Sequence, residues 1–273
     1  MSGEVVRVSP EWLVLREPAD AAARSTELAE RLRRRLPATD RLLIHDLGGG
    51  SGAMGRWLAP RLPGPQHWVV HDRDESLLEL AVADPPGAAA DGAAVTVEAR
   101  RSDITRAAAG DLGGASVIVA SALLDLLTAD ELAGTLAACI RIGCPLLLAL
   151  TVVGRVALTP PDPLDADMAA AFNAHQRRTT AAGRLLGPDA VGTAVSELRG
   201  TGAELVVRPS PWRLDAADAD LTAEWLGGWV AAACEQEPAL ALAAGPYRDR
   251  RLAQAAAGEL AVIVDHADLL VLP

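Results

Sequence analysis

The segment Leu42–Gly55, LLIHDLGGGSGAMG, places one aspartate ahead of five glycines. Glycine lets the backbone approach a ligand closely and adopt left-handed dihedrals. The apolar residues before it read as a buried strand that delivers the turn to the end of a sheet. A second acid, Asp72, stands twenty residues beyond Gly52 and ends HWVVHD; a third, Asp103, ends AVTVEARRSD. A carboxylate at the second strand tip can accept both hydroxyls of a ribose, and one at the third can accept the exocyclic amino hydrogen of an adenine. Asp46 is badly placed beside a pyrophosphate and well placed beside an ammonium. Together the three acids point to a positively charged adenosine ligand without phosphate. Simpler roles compete: Asp103 as the cap of a helix over ITRAAAG, Asp72 as a cap or surface acid, and Asp74 as the cap of the helix starting at Glu75.

A literal GxGxxG, formed by Gly50, Gly52 and Gly55, keeps a dinucleotide-binding oxidoreductase open as an alternative. Groups able to take a proton from a substrate are few among the five histidines. His45 lies inside the first strand and His67 opens the second, both structural positions; His71 adjoins Asp72 at the rim or on a ribose. His175, His266 and Asp125 are the candidates for a catalytic base, each also readable as a packing or capping residue. Cys139, Cys144 and Cys234 form no CxxC pair, and Asp125 and His175 stand too isolated to mark a metal site.

These residues need a scaffold. A helix over residues 19–36, between Pro18 and Pro37, precedes the strand RLLIHD. SGAMGRWLAPRL opens the next helix with Met54, Trp57 and Leu58 on one face. Strand 67–72, the helix ESLLELA, strand AVTVEARRSD and strand ASVIVAS follow. Thr128 and Glu131 form a capping box for a helix with Leu132, Leu136 and Ile140 inward. CPLLLALTVV is the fifth strand; the pattern changes after Gly154, where a loop and helix begin. A helix from Asp189, a sixth strand GAELVVRPSPW, a helix carrying Leu221, Trp225 and Trp229, a last helix RDRRLAQAAAGE and a final strand 260–272, bulged near Asp265, complete the chain. Such alternation predicts a parallel sheet covered on both faces.

The motifs IHDLGGGSG, WVVHDRD, EARRSDI, ASVIVASALLDLL and CPLLLALTVV resemble the successive strand-end motifs of class I S-adenosylmethionine-dependent methyltransferases, over about residues 40–155. The resemblance implies an α/β fold: a Rossmann-like, doubly wound, seven-stranded sheet with an antiparallel last strand, in three α/β/α layers with a helical insertion. It implies a single domain over 1–273, with a cofactor-binding half at 19–153, a substrate cap at 155–200 and closing strands and helices at 201–273. The cofactor would be S-adenosyl-L-methionine. Gly48, Gly49, Gly50 and Gly52 would cradle its methionine and ribose, Asp46 its ammonium, and Asp72 with Arg73 its ribose side. Asp103 and Ile104 would meet the adenine, and Ser121 and Ala122 would flank the transferred methyl.

Composition narrows the acceptor. Thirty-six acids against twenty-five Lys and Arg give a net charge of -11, a surface that repels nucleic acid. The best basic run, RLRRR at 31–35, reads as a solvated helix face, and Trp212 as a pocket or core aromatic. No Asn-Pro-Pro-Tyr type sequence follows the fourth strand, where SALL stands. The expected acceptor is a small molecule, with Arg155, Asn173, Arg177 and Arg178 of the cap allowing an anionic or polar one. A methyltransferase acting on nucleic acid or protein and a non-catalytic binding protein remain alternatives. The N-terminal residues lack a signal-peptide pattern and PLLLALTVV is too short to span a bilayer, so a cytoplasmic protein is expected, with no membrane partner and no indication of oligomeric state.

Overall fold

The computed structural model describes residues 8–36, 41–106 and 109–273. Pro37 and part of the ITRAAAG segment therefore lie outside the described residues. The chain opens with two helices, α1 (Pro10–Ala23) and α2 (Thr26–Arg35), where the sequence predicts one. Ser9 caps α1 by accepting from Trp12 N at 3.1 Å, and Pro10 occupies its first turn, where no N–H is needed. Pro18 lies inside α1 rather than before it. The break comes at Arg24, whose extended backbone lets Ser25 cap α2 through Leu28 N.

The sheet follows: β1 (Leu42–Leu47), α3 (Ala53–Leu58), β2 (Gln66–Asp72), α4 (Glu75–Ala83), β3 (Val95–Arg101), β4 (Val117–Ser121), α5 (Ala129–Ile142) and β5 (Leu146–Thr159). Then come α6 (Asp165–Gln176), the short hairpin β6 (Thr179–Thr180) and β7 (Gly183–Arg184), and α7 (Ala190–Leu198). The chain closes through β8 (Glu204–Pro209), β9 (Trp212–Leu214), α8 (Ala219–Gln236), α9 (Ala241–Ala256) and β10 (Ala261–Leu272). The strand order is β3-β2-β1-β4-β5-β10-β8. The first five strands are parallel, and β10 runs antiparallel to both β5 and β8. The order reverses between β1 and β4, the place where such sheets open a crevice at their carboxyl ends. The expected Rossmann-like sheet with an antiparallel last strand is thus present.

Three departures from the sequence reading shape the site. The sixth strand divides at Ser210–Pro211 into β8 and β9, both paired with β10. β5 runs past Gly154 to Thr159, and the register of β10 against it shifts near Asp265 as expected. The last helix starts at Ala241 and holds Pro246 internally.

Two apolar clusters fill the faces of the sheet. One brings Leu28, Leu32, Met54, Trp57 and Leu58 of the helices onto Ile44, Trp68, Val119 and Leu147. The other brings Leu132, Leu136, Ala190 and Ala194 onto Ile118, Ala120, Leu146 and Leu148. A third cluster joins α6, α8 and α9 to the far ends of β5 and β10, with Trp12, Leu15 and Ala19 of α1 packed against it. Residues 155–200 consequently divide: α6 packs with α8 in this third cluster, whereas α7 packs with α5 on the sheet. The capping box closes as predicted, with Thr128 Oγ1 accepting from Glu131 N and Glu131 Oε2 from Thr128 N. Among the described residues no helix is long and apolar enough to cross a membrane.

Candidate active site

Gly48, Gly50 and Gly52 take φ values of +63°, +53° and +82°, a backbone that L side chains rarely adopt. Gly49 is required for space instead: a Cβ there would lie 2.7 Å from Asp46 Cγ and 2.8 Å from Val70 Cγ1. The turn is braced from β2. Gly50 N donates to Asp72 Oδ2 at 2.9 Å, and Asp74 N donates to Asp72 Oδ1 at the same distance. Each carboxylate oxygen keeps a further lone pair for a ligand hydroxyl. Asp74 caps α4 through Ser76 N, as the sequence predicts.

Beneath the turn, Asp46 is completely buried, and neither of its oxygens has a hydrogen-bond partner. Loss of solvent raises its pKa to about 7; Arg24 opposes the rise and Asp72 adds to it. Arg24 escaped the sequence reading. Its side chain reaches in from the α1–α2 break, 3% exposed, and its Nη2 donates to Ser121 Oγ at 3.1 Å. Nε and Nη1 are buried without partners, and the guanidinium lies over the Trp57 ring at 5.7 Å. Burial lowers its pKa, with Asp20, Asp46 and Asp268 offsetting part of the effect, and a guanidinium so placed stays charged. Asp268 holds the break in place: it accepts from Ser25 N at 2.7 Å and from Leu150 N at 2.8 Å.

Ser121 and Ala122 end β4 beside this pair. Ala122 has φ +51°, and its N–H bonds to Ala149 O at 3.0 Å. A non-glycine residue held there stores strain of order 1–3 kcal/mol, which fixed contacts must offset. The structure therefore gathers Asp46, Asp72, the glycine turn, Ser121 and Ala122, and adds Arg24.

Asp103 is differently engaged. It accepts at Oδ1 from Thr105 N and Thr105 Oγ1, and from Arg73 Nη2 at 2.5 Å. This is the capping role, around a short turn holding the buried Ile104. Burial pushes the Asp103 pKa up, but the bonds from Thr105 and Arg73 together pull it below the usual value. Asp103 is joined to the Asp72 strand tip through the neighbouring Ser102 N, which donates to Asp72 O at 2.8 Å.

His71 is not at a rim. It is 1% exposed and bonded to His45 at 2.8 Å, with Ser102 Oγ 3.0 Å from its other ring nitrogen. Desolvation lowers both imidazole pKa values to about 4. His67 pairs with Thr96 and Glu98.

The candidate bases separate. His175, on α6, pairs with Glu235 at 3.3 Å. His266 and Asp125 both lie within the electrostatic reach of Arg16 on α1. The cap arginines are engaged: Arg155 with Asp265 at 2.8 Å, Arg177 with Asp189 at 2.6 Å, and Arg178 with the carbonyl of His175. So is the basic run on α2, where Arg31, Arg33, Arg34 and Arg35 pair with Glu27, Glu30 and Glu204. Burial raises the thiols of Cys139 and Cys144 to about 12 and about 11, which makes them poor nucleophiles. Among the described residues no cluster of three metal-ligating side chains occurs.

No family model matches the chain, and no curated protein does. Among solved structures it is similar to a putative type II methyltransferase from Anaeromyxobacter dehalogenans, at 15% identity over 91% of this chain and 96% of that one, with a TM-score of 0.52. Similarity also extends to the cyclopropane synthase MmaA2 from Mycobacterium tuberculosis, at 14% identity over 97% and 94% of the chains, TM-score 0.48. A methyltransferase from Thiobacillus denitrificans, solved with S-adenosyl-L-homocysteine, follows at 15% identity, 98% and 99% coverage and TM-score 0.45. At such identities the fold is what is shared.

Proposed function

We propose that this chain, built on the class I methyltransferase fold, transfers a methyl group from S-adenosylmethionine to a small-molecule acceptor. One observation carries the reading. Arg24 and Asp46, opposite in charge, both buried and in each other's field, present unpartnered hydrogen-bonding atoms, Asp46 against the glycine turn and Arg24 at the Ser121 tip of β4. Buried charges left without partners are costly. An α-amino acid group, carboxylate towards Arg24 and ammonium towards Asp46, meets both needs. S-adenosylmethionine carries that group; NAD does not, and its pyrophosphate would face Asp46. The third glycine of the dinucleotide pattern has a plain structural use, since a Cβ on Gly55 would lie 3.1 Å from Pro86 Cγ and 3.4 Å from Trp68.

In this reading Asp72 accepts from the ribose hydroxyls, and Asp103 and Ile104 border the adenine with Arg73 holding the Asp103 carboxylate. Ser121 and Ala122 flank the methyl. Residues 19–153 hold the cofactor half, residues 155–200 cover the acceptor through α6 while α7 packs against the sheet, and 201–273 close the sheet. When bound, the sulfonium supplies an electrophilic methyl. The chain's contribution is alignment of the acceptor with that methyl and exclusion of water. The paired arginines of α2 and the acidic surface favour a small acceptor over nucleic acid, and the free thiols fit a reducing cytoplasm.

Titration calorimetry with S-adenosylhomocysteine tests the reading. Binding in the micromolar range, roughly -8 kcal/mol, is expected. Tight binding of NAD with none of S-adenosylhomocysteine would overturn it.

A further inference from the structure

Arg16 is the centre of a second polar cluster above the crevice. Its Nε and Nη2 donate to both oxygens of Asp20, at 2.9 and 3.1 Å. Its guanidinium lies 5.8 Å from the Trp12 ring and 5.0 Å from the Trp212 ring, and Trp212 Nε1 donates to Asp20 at 2.8 Å. So fixed, Arg16 is not free to bind an anion. Besides Arg24, two residues in its field hold an atom without a partner: Asp125 at Oδ1, on the turn after β4, and His266 at Nδ1, its ring 5.4 Å from that of Trp212. Asp125 Oδ1 is sealed from solvent, and burial raises the Asp125 pKa to about 6. The turn that carries it adjoins the methyl-flanking residues Ser121 and Ala122. It also lays Leu123 across the glycine turn, with Cδ1 2.8 Å from where a Gly48 Cβ would stand. Arg155 and Arg177 of the cover are already paired with carboxylates.

We infer that Asp125 receives the proton of the methyl acceptor, and that the acceptor is a protic amine or hydroxyl compound, not a carboxylate or phosphate. The inference rests on the methyltransferase reading. A lone pair on the acceptor nitrogen or oxygen forms the new bond to the methyl carbon. The carbon–sulfur bond breaks, and its electron pair stays on sulfur. The N–H or O–H proton passes to Asp125 Oδ1, which returns it to solvent after product leaves. An anionic acceptor would instead approach an unpaired carboxylate, with Arg155 and Arg177 of the cover already committed to Asp265 and Asp189.

Sinefungin, the analogue with a protonated amine where the sulfonium methyl stands, probes this without knowledge of the acceptor. Calorimetry would compare sinefungin with S-adenosylhomocysteine on the native chain, Asp125→Asn, Asp125→Glu and the control His175→Gln. The native chain should favour sinefungin. Asp125→Asn should reduce that preference about tenfold with S-adenosylhomocysteine affinity unchanged. Asp125→Glu should restore part of it, and His175→Gln should leave it intact. An unaltered ratio in Asp125→Asn, or in Asp125→Glu compared with the native chain should the asparagine variant not fold and the glutamate not shift sinefungin selectively, overturns the inference alone. Failure of the native chain to bind S-adenosylhomocysteine removes the methyltransferase reading, and the inference with it.

Discussion

Arg24 joins the first helix to the tip of the fourth strand: its Nη2 donates to Ser121 Oγ at 3.1 Å across 97 positions of sequence. The break between α1 and α2 therefore has a purpose. A continuous helix would carry residue 24 onward along the surface, whereas the extended residue turns its side chain into the crevice. Ser25, capping α2 and donating its own N–H to Asp268, fixes that geometry.

If Arg24 holds the carboxylate of the amino-acid end, its loss should be felt only by ligands that have one. Arg24→Met should weaken S-adenosylhomocysteine binding ten- to a hundredfold, a charge-assisted pair being worth about 1.5–3 kcal/mol. Binding of 5′-methylthioadenosine, which lacks the amino acid, should be unchanged. Equal losses for both ligands in calorimetry would make Arg24 a purely structural residue.

Asp46 predicts a pH dependence with a definite sign. Its folded pKa, about 7, lies above the usual 3.8. Between those values the unfolded chain has released a proton that the folded chain retains. Stability from this group therefore falls as pH rises from about 4 to about 7 and levels off above. Asp46→Asn should thus unfold at higher temperature than the native chain at pH 8, by up to about 4 kcal/mol of stability, and show no such gain at pH 4. Ligand binding should move the other way. Native affinity for S-adenosylhomocysteine should rise with pH up to about 7, where Asp46 becomes the anion its ammonium requires, and the asparagine variant should lose that slope.

The glycine turn separates need for space from need for dihedral freedom. Gly49→Ala should cost about 1–3 kcal/mol in denaturant unfolding, because the methyl must displace Asp46 and Val70. Gly192→Ala, in the first turn of α7 with nothing within 4 Å of the new Cβ, should be stabilising by up to about 1 kcal/mol. Equal effects would contradict the packing around Asp46.

The strand-tip half of the site was legible because its signals are local: an apolar run, then glycine, then an acid at the next strand end. The capping box at Thr128 and the irregular β10 were legible for the same reason. Prolines misled. Pro18 removes one helix N–H on a turn where Val14 is 68% exposed, so α1 tolerates it, and Pro246 sits early in α9. The true start signals, Ser9–Pro10 and Ser25 followed by Glu27, were present but outweighed. β5 continues past Gly154 because Asn173 Nδ2 bonds to Gly154 O at 2.7 Å and β10 pairs along its length, contacts that no local pattern announces. Arg24 was invisible for a related reason: the residues that surround it come from β1, β4 and β10, and one arginine after an alanine run has no signature.

The His45–His71 pair yields a test opposite in sign to that of Asp46. Both folded pKa values, about 4, lie below the usual 6.5, burial being the main cause. Between those values the unfolded chain binds protons that the folded pair refuses, so stability is lost as pH falls from about 6.5 to about 4. The pair sits on neighbouring strands directly behind the glycine turn, and a proton shared at 2.8 Å leaves no room for a second one between the rings. His71→Gln keeps a hydrogen-bonding group towards Ser102 but removes one titrating ring. Relative to the native chain, its unfolding free energy should therefore be lower at pH 7, and the gap should narrow as pH approaches 4. A gap that stays constant over that range in denaturant titrations would mean that His71 is protonated in the folded chain, and that the packing behind the turn is looser than the 1% exposure of His71 implies.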